Sequence, residues 1–305
     1  MMRPGLVLAL VLAPMMAMAA SGPASAACAD FTASQINTEY DPLGAQAGSG
    51  QIVLPVTLTA ESHGGSPKNV SVQFMDQEPA GTLRIGSNGP VYAIQESGRS
   101  VAVPRGALLN ASNSFNYTFK EPGSKKAESV PGVQLVIAGG QDVAAGEYGE
   151  SLDVQFQCDS NGGTDQKQGV LQITVDVPST LTASLAGSGP AGTLDFEDFS
   201  TATHTVMVNV YSTGPYALSI ASANAQRMKL VNAPAGAANV PDAQIAYTMT
   251  FNGGAVSAFS TTRYLRSGVG GAQLPLAITT EPATGKRAGV YHDAITLTFT
   301  PLATL

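Results

Sequence analysis

Apolar and polar residues alternate along this chain in a series of short runs separated by glycine, proline, serine and asparagine. Ile52, Leu54, Val56 and Leu58 share one face of Gln51–Ala60, with Val53, Pro55, Thr57 and Thr59 on the other. The same period-two pattern recurs in Asn69–Met75, Thr82–Ile85, Val91–Gln95, Phe115–Phe119 and Val133–Ala138. Further along it recurs in Leu171–Val177, Thr205–Tyr211, Tyr216–Ala221, Ile245–Phe251 and Leu274–Thr279. Alternation of this kind predicts half-buried strands. Pro55 cannot donate to a ladder, so its strand is expected at a free edge or a bulge. No segment after the first 27 residues carries the 3.6-residue period of an amphipathic helix.

Two stretches match position by position. Ala145–Cys158 (AGEYGESLDVQFQC) and Ala288–Pro301 (AGVYHDAITLTFTP) lie 143 positions apart. Tyr148 answers Tyr291, Glu150 answers Asp293, and Leu152, Val154 and Phe156 answer Ile295, Leu297 and Phe299. An internal echo of this length predicts two related domains, each closing on the same strand. The polar, glycine-containing stretch Asp159–Gly169 reads as a linker, and Leu171–Val177 as the first strand of the second domain. The predicted fold is all-β, two tandem sandwiches, with domains at 28–160 and 170–305 and a linker at 161–169.

The first 27 residues read as a secretory signal. Arg3 is the positive end, Gly5–Ala20 is apolar, and Ser25-Ala26-Ala27 offers a cleavage site. Export changes how the two cysteines are read. In an oxidising compartment Cys28 and Cys158 are expected to form a disulfide spanning the first domain; a lipidated Cys28 is the rival. Without residues 1–27, whose single charge is Arg3, 14 basic residues face 22 acidic ones, a net charge of −8. That balance lacks the basic footprint of a nucleic-acid binder.

Catalytic chemistry is sparse. Of three histidines, His63 sits in a glycine turn, and His204 and His292 are read as outward-facing. No metalloprotease, nucleophile-elbow, CxxC or phosphate-loop motif occurs. Asp195, Glu197 and Asp198 lack the spacing of a calcium loop and read as a solvated turn. No catalytic residue, metal or cofactor is expected.

Leu194-Asp195-Phe196, Tyr216-Ala217-Leu218-Ser219-Ile220, Ile245-Ala246-Tyr247 and Ala288-Gly289-Val290-Tyr291-His292-Asp293 occur in order before a Thr-rich last strand. This combination resembles the spore coat protein U-like domain of archaic chaperone–usher pilus subunits. Cys28 followed by Tyr40-Asp41-Pro42 resembles the start of the same domain. The resemblance implies an immunoglobulin-like sandwich that lacks its last strand. A periplasmic chaperone, and then the N-terminal segment of a neighbouring pilin, would fill the groove by β-strand addition. An outer-membrane usher and a host or abiotic surface complete the implied partners. The groove is expected between Leu171, Ile173, Val175 and Val177 on one lip and Ile295, Leu297 and Phe299 on the other. With Cys28 at the mature terminus, no donor segment is expected ahead of the first domain. The layout is then that of a two-domain tip adhesin at the cell surface, serving attachment or biofilm formation.

A shaft or adaptor pilin is the alternative within that system, and a secreted carbohydrate-binding or enzymatic sandwich the alternative outside it. Candidate surface-binding loops are Gly86–Ala93, Val101–Leu109 and Val130–Ile137, although Val133–Ile137 reads better as a core strand; no receptor-binding residue is assigned. If the echo strand ends each sandwich, the first domain needs closure too. Either the cysteine bridge and a rearranged edge supply it, or Leu171–Val177 serves that domain in cis.

Overall fold

A computed structural model describes residues 29–62, 69–76, 83–103, 113–122, 124–160, 163–197, 203–234, 236–257 and 260–303. Its strands are β1 (Ala29–Ala33), β2 (Ile36–Glu39), β3 (Ile52–Pro55), β4 (Leu58–Ser62), β5 (Asn69–Asp76), β6 (Tyr92–Glu96), β7 (Arg99–Val101), β8 (Ser114–Thr118), β9 (Ala127–Val130), β10 (Val133–Ile137), β11 (Gly146–Ser160) and β12 (Gly163–Val177). There follow β13 (Leu181–Leu185), β14 (Thr203–Ser212), β15 (Tyr216–Ser222), β16 (Arg227–Leu230), β17 (Gln244–Phe251), β18 (Gly254–Val256), β19 (Ser260–Tyr264), β20 (Gly268–Thr280), β21 (Tyr291–His292) and β22 (Ile295–Pro301). The helical content of the described residues is one three-residue turn, Pro241–Ala243.

The protein is all-β, built as two sandwiches. In the first, the sheet β2-β12-β11-β5-β8 faces β3-β10-β6-β7, with the small sheet β1-β4-β9 at one side. The second packs β13-β14-β20-β17-β16-β21 against β19-β15-β22. Each has its own apolar core. Leu58, Val72, Phe74, Leu135, Leu152 and Phe156 lie in the first; Val210, Leu218, Ile245, Phe251 and Ile278 lie in the second.

Several expectations from the sequence are corrected here. Gln51–Ala60 is not one strand. It breaks after Pro55, so that β3 pairs with β10 while β4 pairs with β1 and β9. A strand crossing from one sheet to the other keeps its alternation, so periodicity does not reveal the break. β3 does lie at a sheet edge, as Pro55 requires. Thr82 lies outside the described residues, and the described part of the Thr82–Ile85 run, 83–85, supplies an isolated bridge, Arg84 to Val91, and no strand. Asp159–Gly169 is not a linker. β11 and β12 pair antiparallel from Ser160–Gly163 to Gly146–Val177; in sequence Asn-Gly separates them, the strongest two-residue hairpin signal. Leu171–Val177 therefore belongs to the first sandwich, and the boundary between the cores falls after Val177. His204 shares the inward parity of Val206, Val208 and Val210, and its ring meets Phe196 edge-on at 4.6 Å. Cys28 and the side chain of Cys158 lie outside the described residues, as do residues 1–27.

The echo in sequence is also an echo in geometry. Gly146 and Gly289 hold φ of 147° and 148°, a region in which L side chains are strained. A Cβ on Gly146 would meet nothing within 4 Å, so the backbone, not packing, sets the residue there. Two residues on, the Tyr148 hydroxyl donates to the Ala144 carbonyl at 2.9 Å and the Tyr291 hydroxyl to the Arg287 carbonyl at 2.7 Å. A tyrosine tied back across the turn before the penultimate strand is a hallmark of immunoglobulin-like sandwiches.

The two sandwiches meet end to end. The Ala145 amide donates to the Thr213 carbonyl at 2.8 Å, and Arg266 grips Asp142 through two bonds of 2.7 and 3.1 Å. Asp142 also accepts from the Val269 amide.

Candidate functional site: a cleft beside the last strand

β11 and β22 carry matching sequences but have different neighbours. β11 is paired on both edges, with β5 on one side and β12 on the other. β22 pairs with β15 on one edge, Ile295 opposite Ser222 through Pro301 opposite Tyr216. No strand among the described residues is hydrogen-bonded to its other edge, although β13 comes into contact with it. Burial follows the pairing. Leu152, Val154 and Phe156 are 0, 0 and 1% exposed. Ile295, Leu297 and Phe299, their counterparts, are only half-buried, although they pack on the second core. The same face of the same strand is sealed in one sandwich and left partly open in the other.

A cleft of about 540 Å³ runs along that open side. One lip is the chain from Gly289 to Leu297. The opposite lip is Leu185 at the end of β13 and the segment Gly192–Glu197, with Val206, Met228, Leu276 and Ile278 between them. Leu194 and Phe196 turn into the core, yet Gly192–Phe196 belongs to no strand. The first sandwich shows what such a pair of lips can hold. There β12 lies antiparallel to β11 and parallel to β2, with Ile173 opposite Ile36 and Asp176 opposite Glu39. In the second sandwich β22 stands for β11, the Gly192–Phe196 segment lines the far side of the cleft, and no strand pairs with β22 as β12 pairs with β11 among the described residues. An unpaired apolar strand edge of this kind is a template for another chain.

Three carboxylates line the cleft, Asp195, Glu197 and Asp293, and Asp293 is tied into its wall. Asp293 accepts from Ser222 Oγ and Tyr247 OH at 2.6 Å each on Oδ2. On Oδ1 it accepts from the Asn224 amide and Nδ2 at 3.0 Å each, and from the Ala294 amide at 2.8 Å. Five donors fill the carboxylate and anchor the start of β22 to β15, β17 and the turn after β15. Burial, and then the bond to Asp293, raise the Tyr247 hydroxyl well above its ordinary pKa, so it stays a donor. This is a positioning network with no reacting centre. Among the described residues no group of three or more His, Cys, Asp or Glu side chains is placed to hold a metal.

Ile295 and Leu297 line the cleft, and Phe299 continues the same face toward Tyr216. Leu171, Ile173, Val175 and Val177 do not reach it. The β11–β12 hairpin buries them in the first core, none more than 2% exposed, so the lip assigned to them is corrected to Leu185 and Gly192–Glu197. That lip had a signal in the sequence, the alternating Leu194 and Phe196, but its acidic residues read as a turn. Asp195 caps that turn by accepting the Glu197 amide at 2.9 Å, and Asp198 lies outside the described residues.

The candidate surface loops turn largely inward. Pro90 and Tyr92 of Gly86–Ala93 are buried. Val101 is in the first core, while the 104–109 part of its loop is outside the described residues. Val130–Ile137 is the core strand β10 with its lead-in.

No family model matches the chain, the spore coat protein U-like one included, and no curated protein sequence matches it. Solved structures align with it at low similarity. A chain of the chaperone–tip adhesion subunit complex from the archaic Csu pili of Acinetobacter baumannii aligns at 12% identity and a TM-score of 0.41, over 89% of this chain and 100% of that one. The adhesive subunit of the CFA/I fimbria of enterotoxigenic Escherichia coli aligns at 12% and 0.39, over 89% and 93%. The CupB6 tip adhesin of Pseudomonas aeruginosa aligns at 11% and 0.38, over 89% and 94%. At such low identity and TM-score, the role of this chain rests on its own geometry.

Proposed function

We propose that this protein is a two-domain adhesive subunit of a chaperone–usher pilus, with the second sandwich accepting a strand from the neighbouring subunit. The observation that carries the reading is the contrast between β11 and β22. One chain holds a sandwich closed in cis by β12 and a sandwich whose matching strand is open along an apolar cleft. A periplasmic chaperone would cover the cleft first, and a neighbouring pilin would then replace it, by main-chain pairing plus side chains seated at alternate positions. The first sandwich, already closed, offers no second acceptor edge on its β11 side. We place it outward at the fibre end, where it meets the host or abiotic surface. The role is binding and assembly, not catalysis.

The test is co-expression with the chaperone and usher of the same cell, followed by immunogold labelling of intact fibres. Co-purification with the chaperone and label at one fibre end are the expected results. Label distributed along the shaft would make the protein a shaft pilin. A protein that never enters a fibre or a chaperone complex would refute the reading.

A further inference from the structure

The first sandwich contains, in β12, a strand that has no counterpart in the second among the described residues. We infer that the sequence of β12 is itself a competent ligand for the C-terminal cleft, seated antiparallel to β22 in the register that the 143-residue echo dictates. The inference rests on the strand-accepting reading above, and it specifies the chemistry of the strand accepted.

The register follows from the pairing in the first hairpin. Val177, Val175, Ile173 and Leu171 lie opposite Gly146, Tyr148, Glu150 and Leu152. Shifted by the echo, the same four side chains would face Gly289, Tyr291, Asp293 and Ile295. These are the residues that line the cleft. The two frames agree in backbone as well as in sequence, through the matched glycine φ and the matched tyrosine bond. They also agree in what lies across the strand, since β5 and β15 pair antiparallel on the far edge in both.

The acidic position is compatible with an apolar partner in both frames. Glu150 faces Ile173 while accepting the Gly86 and Ser151 amides. Asp293 has its five donors already and needs nothing from a ligand. Past Leu171 the template weakens. Gly169 stands opposite Val154 and Lys167 opposite Phe156, on which Phe31 of β1 stacks at 3.7 Å. The strand accepted by the second sandwich therefore needs four apolar residues at alternate positions, with smaller or polar residues beyond them. A strand shifted by one residue would present its polar face to the cleft.

The experiment uses the full chain after signal removal. In one variant, residues 161–178 are copied after Ala303 in place of Thr304 and Leu305, so that the chain returns on itself as β11 does. A second variant carries the same copy with each of the pairs Leu171/Gln172, Ile173/Thr174 and Val175/Asp176 exchanged in order, which keeps composition and moves three of the four apolar side chains to the opposite face. A third carries the N-terminal segment of a pilin encoded beside this protein. The readouts are the melting temperature of the second domain and hydrogen exchange of the β22 amides. The direct copy is expected to raise melting by about 10 °C or more and to slow exchange across Ile295–Pro301, while the face-inverted copy does neither. Equal effects of the two copies, or stabilisation by the pilin segment alone, would overturn the inference, and the latter would leave the strand-accepting reading standing. No effect from any of the three would overturn both.

Discussion

Leu152 and Ile295 offer a controlled comparison inside one molecule. Their side chains are isomers, they occupy equivalent positions on echoing strands, and they differ in what covers them. Leu152 is fully buried between β5 and β12, so Leu152→Ala should cost the first domain about 2–5 kcal/mol, as core truncations do. Ile295 is half-buried and lines an open cleft. Full burial of such a side chain contributes about 1.5–3 kcal/mol, so Ile295→Ala in the free protein should cost the second domain only about 1 kcal/mol. Filling the cleft with a donor strand removes the difference, and the same substitution should then cost about 2–5 kcal/mol. The chain has no tryptophan, so hydrogen exchange read peptide by peptide, rather than intrinsic fluorescence, separates the two domains. The open cleft is refuted if Ile295→Ala costs as much without a donor as with one, because Ile295 would then already be sealed.

Three further outcomes are expected. Asp293→Asn keeps one acceptor oxygen but turns an NH₂ group toward the Tyr247 and Ser222 hydroxyls; it should destabilise the second domain by about 2–3 kcal/mol, and a neutral result in denaturant titration would remove the anchoring role. Asp142→Ala breaks a partly exposed ion pair worth at most about 1 kcal/mol, so melting should barely move, while exchange at the Val269 amide rises; unchanged exchange would show that the joint does not depend on it. Glu128 is pushed up by desolvation, but bonds from the Tyr117 hydroxyl and the Lys120 and Glu121 amides outweigh this and hold its carboxyl below the ordinary range; burial and the same carboxylate push Tyr117 up to about 12. A depressed folded pKa means stability that is present at neutral pH and lost as pH falls through it, so Glu128→Gln should lower melting at pH 7 by a few degrees, about what a charged hydrogen bond contributes, with the gap closing as pH falls below the ordinary carboxylate range; a gap independent of pH would refute the assignment.

Much of this protein was legible in its sequence. Period-two alternation needs no partner to be recognised, because it follows from the pleat of the strand itself, and it marked most strands and the all-β class. The Ala-Gly-x-Tyr echo was legible for the same local reason. A glycine at φ near 147° and a tyrosine tied back four residues are built from a few adjacent positions. What alternation cannot carry is the identity of the neighbour. Leu171, Ile173, Val175 and Val177 read as a strand with one apolar face whichever domain they join. Only the tertiary structure assigns them to the first core, through the antiparallel pairing of β11 and β12 across a stretch that reads as a linker. The switch of Gln51–Ala60 between sheets at Pro55 is invisible for the same reason. The cleft is likewise a tertiary fact. Ile295 and Leu297 announce an inward face, but whether that face is sealed depends on Leu185 and Gly192–Glu197, about a hundred residues away in sequence and brought opposite by the closing of the sandwich. Side-chain direction is set locally by the backbone period, whereas burial is set by whichever segment the fold brings across, and that second quantity decides where this protein is open.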